Sequence, residues 1–171
     1  MSSGPEIYQL KIRLLGISPM IWRRVLVPAS LTLRELHGIL QVAMGWEGIH
    51  LFLFDVHALR YGSFELHAGN PEIQLDQFGL RENERFSYVY DMGDHWEHEI
   101  RLEAINPPPK KTYPICTGGS EACPPGDCGG AHGYQERRDE ADEYDAWRDM
   151  CVMSDFFGRY RGGRCPREES V

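Results

Sequence analysis

The strongest constraint on the fold is a segment that separates apolar from charged side chains at every second position. In residues 96–105 (WEHEIRLEAI) one face carries Trp96, His98, Ile100, Leu102 and Ala104, and the other carries Glu97, Glu99, Arg101 and Glu103. Side chains alternate across a strand, so this pattern predicts a sheet with one buried face and one solvated face. Residues 85–91 (RFSYVYD) predict a partner strand, and the glycine in DMGDH between them suits a hairpin turn.

A second hairpin and a helix are predicted near the start of the chain. Residues 7–15 alternate in the same way, and residues 20–27 (MIWRRVLV) follow the turn GISP, so the two segments predict paired strands. Thr32 and Glu35 have the spacing of a capping box, and Gly45 is placed to end a helix. The apolar stripe of this helix over 32–45 consists of Leu33, Leu36, Ile39, Leu40 and Ala43.

The remaining segments complete the expected architecture. Residues 50–56 (HLFLFDV) are apolar on both faces and predict a central strand, while 58–84 predict short strands and loops. Residues 134–151 predict an acidic helix whose buried stripe is Ala141, Tyr144, Trp147 and Cys151. We therefore expect one α+β domain with a mixed, mainly antiparallel sheet, whose first hairpin packs on the helix at 32–45. Its core spans about 7–151, and 152–171 form a tail that is partly flexible.

Composition narrows the class of protein. The chain has 171 residues, a formal net charge of -8 and a pI near 5.3. This acidity argues against a general nucleic-acid binder, which shows a basic face. The chain starts without a basic region followed by an apolar run, and no stretch is apolar enough to span a membrane. We expect a cytoplasmic protein without membrane contact, whose thiols stay reduced and suggest metal or redox chemistry rather than disulfides.

Residues 113–134, called the cysteine segment below, hold the most conspicuous candidate site. Cys116, Cys123, Cys128 and His132 lie there at the spacing C-x6-C-x4-C-x3-H, among glycine, proline, serine and aspartate. Such a segment has little apolar content with which to fold by itself, which leaves three alternatives. The cysteines bind a metal, or neighbouring elements hold the segment in place, or it stays mobile and reactive. The four residues match a Cys3His zinc site in number, although the C-x2-C spacing typical of zinc sites is missing.

Histidines outside this segment are alternative ligands. His98 lies on the apolar face of its strand, where it is either a core histidine satisfied by a backbone carbonyl or Asp94, or a ligand that reaches toward the cysteine segment. His50 begins the central strand with the same two interpretations, and Cys151 and Cys165 are weaker alternatives. We therefore predict a zinc site whose ligands are drawn from Cys116, Cys123, Cys128, His132 and His98.

Catalytic patterns are sparse. The sequence has no phosphate-binding glycine loop that ends in Lys-Ser/Thr, no G-x-S-x-G and no H-E-x-x-H. Asp91 and Asp94 flank a glycine turn, where aspartate usually bonds the backbone. Cys128 and His132 are close in sequence, but closeness alone does not make a nucleophile and its base. These observations favour a protein that is not an enzyme.

Three blocks together resemble the plasmid pRiA4b open-reading-frame-three family, whose members also carry a TnpR label as passenger proteins of insertion elements. The blocks are IWRRVLVPASLTLRELHGILQVAMGW, YVYDMGDHWEHEIRLE and YPICTGGSEACPPGDCGGAHGYQE. The matching motif residues are Trp22, Arg23, Arg24, Asp91, Gly93, Asp94, Trp96, His98, Cys116, Cys123, Pro124, Pro125, Asp127, Gly129, Gly130, Gly133 and Tyr134. The resemblance implies an α+β fold and no demonstrated recombinase activity. It also implies less weight for Cys128, whose position is often apolar in the family, and more for Cys116 and Cys123, with His98 or His50 completing the site.

Three functions are consistent with these features. The leading expectation is a non-enzymatic, zinc-stabilised module that acts through a protein or nucleic-acid partner linked to mobile elements. The alternative is a small hydrolase or thiol enzyme with its site between the cysteine segment and the hairpin at 91–98, using Asp94, His98 and a cysteine. The third is DNA binding through a basic face of Arg23, Arg24, Arg159, Arg161, Arg164 and Arg167. The oligomeric state is left open by the sequence.

Overall fold

The alternating segments assemble into a seven-stranded sheet in a computed structural model, which describes residues 4–143. The strands are β1 (Ile7–Leu14), β2 (Trp22–Pro28), β3 (Phe52–Val56), β4 (Leu59–Gly62), β5 (Arg85–Tyr90), β6 (Trp96–Ile105) and β7 (Ile115–Ser120). Their order is β4-β3-β5-β6-β1-β2-β7, and each pair of neighbours in this order is antiparallel. The expected α+β class with a mainly antiparallel sheet is confirmed.

One face of the sheet carries the core. The alternation predicts four of the buried side chains of β1, Tyr8, Leu10, Ile12 and Leu14, and Ile7 at the start of the strand is buried as well. On β6 the fully buried side chains are Trp96, His98, Ile100 and Leu102. The strand register places His98 opposite Tyr88 of β5 and Leu14 of β1, so the histidine lies well inside the sheet.

Helix α1 (Leu33–Met44) covers this face, and its ends are those that the sequence predicts. Thr32 Oγ1 accepts a hydrogen bond from the Glu35 backbone N–H at 3.1 Å, and the Glu35 carboxylate accepts one from the Thr32 N–H at 3.2 Å. Gly45 ends the helix in the left-handed conformation at φ 71°, which glycine adopts without a Cβ clash. His37 on α1 stacks on Phe52 of β3, with ring centroids 3.8 Å apart.

The first part of the cysteine segment is held by the sheet itself. It forms the edge strand β7, which pairs with β2 and was not predicted as a strand. The Arg23 guanidinium ties β7 to α1, because it donates hydrogen bonds to the carbonyl oxygens of Ser120, Glu121 and Ala43 at 3.0, 2.9 and 3.3 Å. Neighbouring elements therefore order this part of the segment, one of the three alternatives that the sequence left open.

The rest of the described chain is consistent with the prediction in outline. Residues 58–84 contain β4 and two short 3-10 helices, Phe64–Leu66 and Leu75–Phe78. Helix α2 (Gly130–Glu143) starts earlier than predicted, inside the cysteine segment. The predicted residues Tyr144, Trp147 and Cys151, and the tail at 152–171, lie outside the described residues. Within 4–143, the helices are too short or too polar to cross a membrane.

Candidate functional site

Three side chains from distant parts of the sequence meet at one end of the sheet. His50 Nε2 lies 2.8 Å from Asp127 Oδ1 and 3.5 Å from Asp91 Oδ2. One ligand atom from each of the three residues lies within 4.8 Å of the other two. The group combines an imidazole nitrogen with two carboxylate oxygens, a donor set that suits a divalent cation.

Strand pairing explains why two of these residues are neighbours. His50 lies just before β3 and Asp91 just after β5, and the antiparallel pairing places Phe52 opposite Tyr90. The start of one strand therefore lies beside the end of the other. The Asp91 N–H donates to the Leu51 carbonyl at 2.9 Å, which continues the ladder by one step.

Asp91 is oriented by the hairpin that follows it. Its backbone has φ 61°, in the left-handed region that aspartate tolerates better than most residues. Its Oδ1 atom accepts hydrogen bonds from the N–H groups of Gly93 and Asp94, at 2.9 and 3.3 Å. These bonds turn Oδ2 toward His50, and the side chain is only 10% exposed. The sequence predicts that Asp91 bonds the turn backbone, and its Oδ1 atom does so. The position of Oδ2 beside His50 was not predicted.

Asp127 is delivered by the cysteine segment, which is attached on both sides of this residue. Before it, Trp46 Nε1 donates to the Pro124 carbonyl at 2.8 Å. After it, the Gly129 N–H donates to Asp94 Oδ2 at 3.2 Å. Gly130 has φ 71° and a Cβ there would overlap the Asp94 carbonyl oxygen, so only glycine permits this close approach. The segment is thus fixed to the β5–β6 turn, where the sequence placed the alternative active site.

His50 makes contacts that leave its Nε2 atom available. Its backbone N–H donates to the Tyr90 hydroxyl at 3.3 Å, and the two rings are 5.7 Å apart. Nε2 is buried and has no hydrogen bond of acceptable angle, although Asp127 Oδ1 is close. Nε2 is thus close to both carboxylates and makes no hydrogen bond within 4–143, so this nitrogen can serve as a metal ligand.

A cleft opens beside the three residues. It has a volume of about 140 Å³ and is lined by Trp46, Glu47, Ile49, His50, Tyr90, Pro125, Gly126 and Asp127, with Gly45 at its edge. Burial raises the pKa of Tyr90, so its hydroxyl keeps its proton at neutral pH. The cleft therefore has a mixed lining of apolar side chains, the Glu47 carboxylate, one hydroxyl and the donors of His50 and Asp127.

The predicted cysteine ligands lie in three different environments. Cys116 is exposed on β7, and its thiol lies 3.4 Å from the Gly118 carbonyl oxygen. Cys123 is fully buried, with Sγ 2.9 Å from the Arg23 guanidinium and 3.3 Å from Met44 Sδ. Burial raises the pKa of the Cys123 thiol to about 11, so it is neutral rather than a thiolate.

Cys128 and the two predicted histidines also lie in different environments. Cys128 is buried, and burial raises the pKa of its thiol to about 11. The His132 side chain is 87% exposed and pairs with Glu136 at 3.2 Å. His98 is in the core, where its Nδ1 lies 3.2 Å from the Tyr88 carbonyl oxygen, so this nitrogen carries the proton. Burial lowers the pKa of His98 to about 4, and the ring is neutral.

The structure therefore does not gather the predicted metal set. Within 4–143, His50, Asp91 and Asp127 are the residues whose ligand atoms converge, and no cysteine joins them. Zinc binding by Cys116, Cys123, Cys128, His132 and His98 stays a prediction. His50 was named as an alternative ligand, but Asp127 was seen only as a motif residue. The signal that could have found the site is the pairing of the strands that end at Asp91 and begin after His50.

Both arginines of β2 already bond to other groups of the fold. The Arg24 guanidinium bonds the Glu103 carboxylate at 2.6 and 3.0 Å and lies over the Trp22 ring, 5.1 Å from its centroid. This pair lowers the pKa of Glu103 to about 2. Arg23 bonds backbone carbonyls of the cysteine segment. The two residues stabilise the fold, and a basic face built on them has fewer free charges than the sequence suggests.

Comparison with known proteins identifies the family. The family model described as plasmid pRiA4b ORF-3-like protein matches residues 6–157. This chain belongs to that family. This chain is also similar to a protein named Uncharacterized protein y4hQ, from Sinorhizobium fredii (strain NBRC 101917 / NGR234). The two are 35% identical over 137 residues, which are 77% of this chain and 71% of the relative.

A solved structure has the same fold. The crystal structure of the protein of unknown function MM3350 from Methanosarcina mazei Go1 matches with a TM-score of 0.78 and 33% identity, over 89% of this chain and 91% of that chain. The names of these two similar proteins assign no activity, so a functional argument rests on the site geometry of this chain.

Proposed function

We propose that this family member is a non-enzymatic metal-binding module, in which a divalent cation at His50, Asp91 and Asp127 fixes the cysteine segment to the sheet. The single observation that carries the proposal is the convergence of one nitrogen and two carboxylate oxygens within 4.8 Å. The module acts through a protein or nucleic-acid partner that binds the surface ordered in this way.

The electrostatics of the cluster support a bound cation. Asp91 and Asp127 bring two like charges to the same point, and Asp91 is largely withdrawn from water. A divalent cation offsets both charges and bonds all three donors at once. A protonated His50 is the other way to relieve the repulsion, and it requires no metal. The two possibilities differ in their response to added metal, so they are separable by experiment.

The donor set selects among metals. One imidazole and two carboxylates are compatible with zinc, manganese or cobalt, whereas a cysteine-rich site would favour zinc over manganese. The zinc predicted from the sequence is therefore retained as a proposal with a different ligand set. The cysteine set remains the competing assignment, and substitutions distinguish the two.

The test is metal binding to the full chain purified without added metal. After treatment with a chelator, titration with Zn²⁺ or Mn²⁺ is expected to give about one ion per chain and a higher melting temperature, since a ligand at about 100 times Kd stabilises by about 2.7 kcal/mol. His50→Ala and Asp127→Asn are expected to weaken binding at least about tenfold. His132→Ala and Cys116→Ser are the matched controls and should bind as the unmodified chain does. Unchanged melting with saturating metal, or loss of binding only in the controls, would contradict the proposal.

A small enzyme is the second candidate, and the cleft of about 140 Å³ beside the cluster favours it. The cleft lies between the cysteine segment and the β5–β6 turn, as the alternative expected. Asp94 and His98, which the sequence suggested as its polar groups, do not line this cleft. His98 is in the core, and Asp94 accepts a hydrogen bond from the Gly129 N–H. Turnover of a chromogenic ester, phosphate ester or amide by the metal-loaded chain, abolished in His50→Ala, would favour the enzyme over the non-enzymatic module.

A nucleic-acid partner has its own test. DNA binding through basic residues weakens steeply as salt rises. Fluorescence anisotropy of labelled DNA with the metal-loaded chain at low salt measures this directly. No binding at low salt would exclude DNA as the partner.

A further inference from the structure

We infer that the cation at His50, Asp91 and Asp127 keeps a coordination position open toward the cleft, where it holds an exchangeable water that a neutral oxygen ligand, such as an amide carbonyl, replaces. The inference rests on the proposed metal site and adds the class of ligand that the site accepts.

The three donor residues lie at different depths beside the cleft. Asp91 lies behind the site, with a side chain 10% exposed, and it does not line the cleft. His50 and Asp127 form part of the cleft wall, with side chains 30% and 65% exposed. Three protein ligands leave at least one position unfilled for a zinc ion and more for a manganese ion. Since the protein occupies the side of Asp91, the unfilled positions face the cleft.

The volume of the cleft is compatible with water and a small ligand group. Its 140 Å³ exceeds the roughly 30 Å³ that one water occupies in the liquid. The Tyr90 hydroxyl lines this space and accepts a hydrogen bond from the His50 N–H, while donating none to a residue in 4–143. Its proton is therefore available to an oxygen atom on the open side of the cation.

Charge decides which ligand replaces the water. The carboxylates of Asp91 and Asp127 together offset a divalent charge, so the occupied site carries little net positive charge. Glu47 is exposed on the cleft wall and adds a further negative charge. An anion such as phosphate is repelled in this setting, whereas a neutral carbonyl oxygen is not. Trp46, Ile49 and Pro125 provide apolar contact for the carbon atoms attached to such a carbonyl.

The experiment uses the full chain titrated with Mn²⁺, with two readouts in the same sample. The electron paramagnetic resonance signal of free Mn²⁺ reports binding, and the relaxation rate of water protons reports whether the bound ion carries exchanging water. We expect binding together with a several-fold enhancement of water relaxation over free Mn²⁺. Binding without enhancement would overturn the open position and leave the metal site intact. His50→Ala gives the signal expected when the site does not bind Mn²⁺. If the unmodified chain binds no more Mn²⁺ than this variant, the proposed function itself is overturned.

The ligand class is tested by competition for the water. Acetamide, a neutral carbonyl donor, is expected to lower the relaxation enhancement while Mn²⁺ stays bound. Inorganic phosphate at equal ionic strength is expected to leave the enhancement unchanged in the unmodified chain and to lower it in Glu47→Gln. If phosphate displaces the water in the unmodified chain and acetamide does not, the site takes anions and the inferred ligand class is wrong.

Discussion

Acid is expected to destabilise this protein through His98 before it acts on the carboxylates. The ring is fully buried between Tyr88 and Trp46, with ring centroids 5.1 and 5.4 Å away. Nδ1 donates to the Tyr88 carbonyl, and Nε2 is buried without a hydrogen-bond partner. A proton on Nε2 would place an unpaired charge in the core, which explains why burial lowers the pKa of His98 to about 4 from 6.5.

The magnitude follows from linkage between protonation and folding. Because the pKa of His98 is lower in the folded state, the unfolded chain binds the proton first, and stability falls as pH drops from about 6.5 to about 4. The full difference corresponds to about 3 kcal/mol, of which about 2 kcal/mol is lost between about pH 7 and about pH 5. Burial also lowers the pKa of His37 to about 4, so it acts in the same direction. Glu103, with a pKa of about 2, loses its ion pair only below this window.

The assay is urea unfolding, followed by tryptophan fluorescence at about pH 7 and about pH 5. His98→Gln removes the titrating group, so its free energy of unfolding should change less between the two pH values, by about 2 kcal/mol. His132→Gln is the matched control, since that side chain is 87% exposed, and it should keep the pH dependence of the unmodified chain. If His98→Gln does not fold, the His98 ring resonance of the unmodified chain gives the answer by nuclear magnetic resonance. Titration of that resonance near its ordinary pKa of 6.5 would refute the reasoning.

Three other predictions concern the cysteine segment. Arg23→Ala removes hydrogen bonds to the carbonyl groups of Ala43, Ser120 and Glu121, so the free energy of unfolding in urea should fall by about 2–3 kcal/mol. Full rescue by Arg23→Lys would contradict the role of the guanidinium group. Gly130→Ala forces a Cβ against the Asp94 carbonyl and should lower the free energy of unfolding by about 1–3 kcal/mol. Gly126→Ala is the control and should be nearly neutral, because no atom lies within 4 Å of the added Cβ. Equal melting temperatures of the two variants would count against this packing. Cys116 is exposed and should be alkylated well before Cys123, because burial raises the pKa of the Cys123 thiol to about 11. Peptide mapping measures the two rates, and equal rates would show that the segment opens.

The regular elements were predictable because their sequence signals are local. The capping box of Thr32 and Glu35 and the glycine at 45 give α1 its observed ends. The alternation over 96–105 gives β6 its observed bounds and places its polar face away from the core. In both cases the packing in the structure requires the same side-chain period that the sequence shows, so tertiary contacts do not override local preference.

Strand β7 was not predicted because the two glycines in its sequence, ICTGGS, disfavour a strand and interrupt any alternating pattern. Gly119 lies against β2 where a Cβ would contact the Trp22 carbonyl oxygen at 2.9 Å. Close approach between the backbones, and the hydrogen bonds of Arg23, therefore hold this strand rather than its side chains. The information lies in the partner strand, which a local pattern does not report.

The candidate site was only partly predictable for a similar reason. Cysteines close together in sequence are a recognised indication of a metal site, so the thiols were predicted as ligands. Asp91 was predicted only to bond the backbone of a turn. The structure buries two thiols and joins His50, Asp91 and Asp127 across long sequence separations. Such a site depends on which strands pair, and on where the cysteine segment is attached. Neither feature leaves a fixed spacing in the sequence.

The ligand set of the metal is the central claim, and zinc X-ray absorption on the loaded full chain measures it directly. Sulfur ligands give a shell at about 2.3 Å, while nitrogen and oxygen ligands give one at about 2.0–2.2 Å. Binding by His50, Asp91 and Asp127 predicts a nitrogen and oxygen shell without sulfur, and loss of this bound zinc in Asp127→Asn. A sulfur shell that disappears in Cys123→Ser would contradict the claim and return the site to the cysteines.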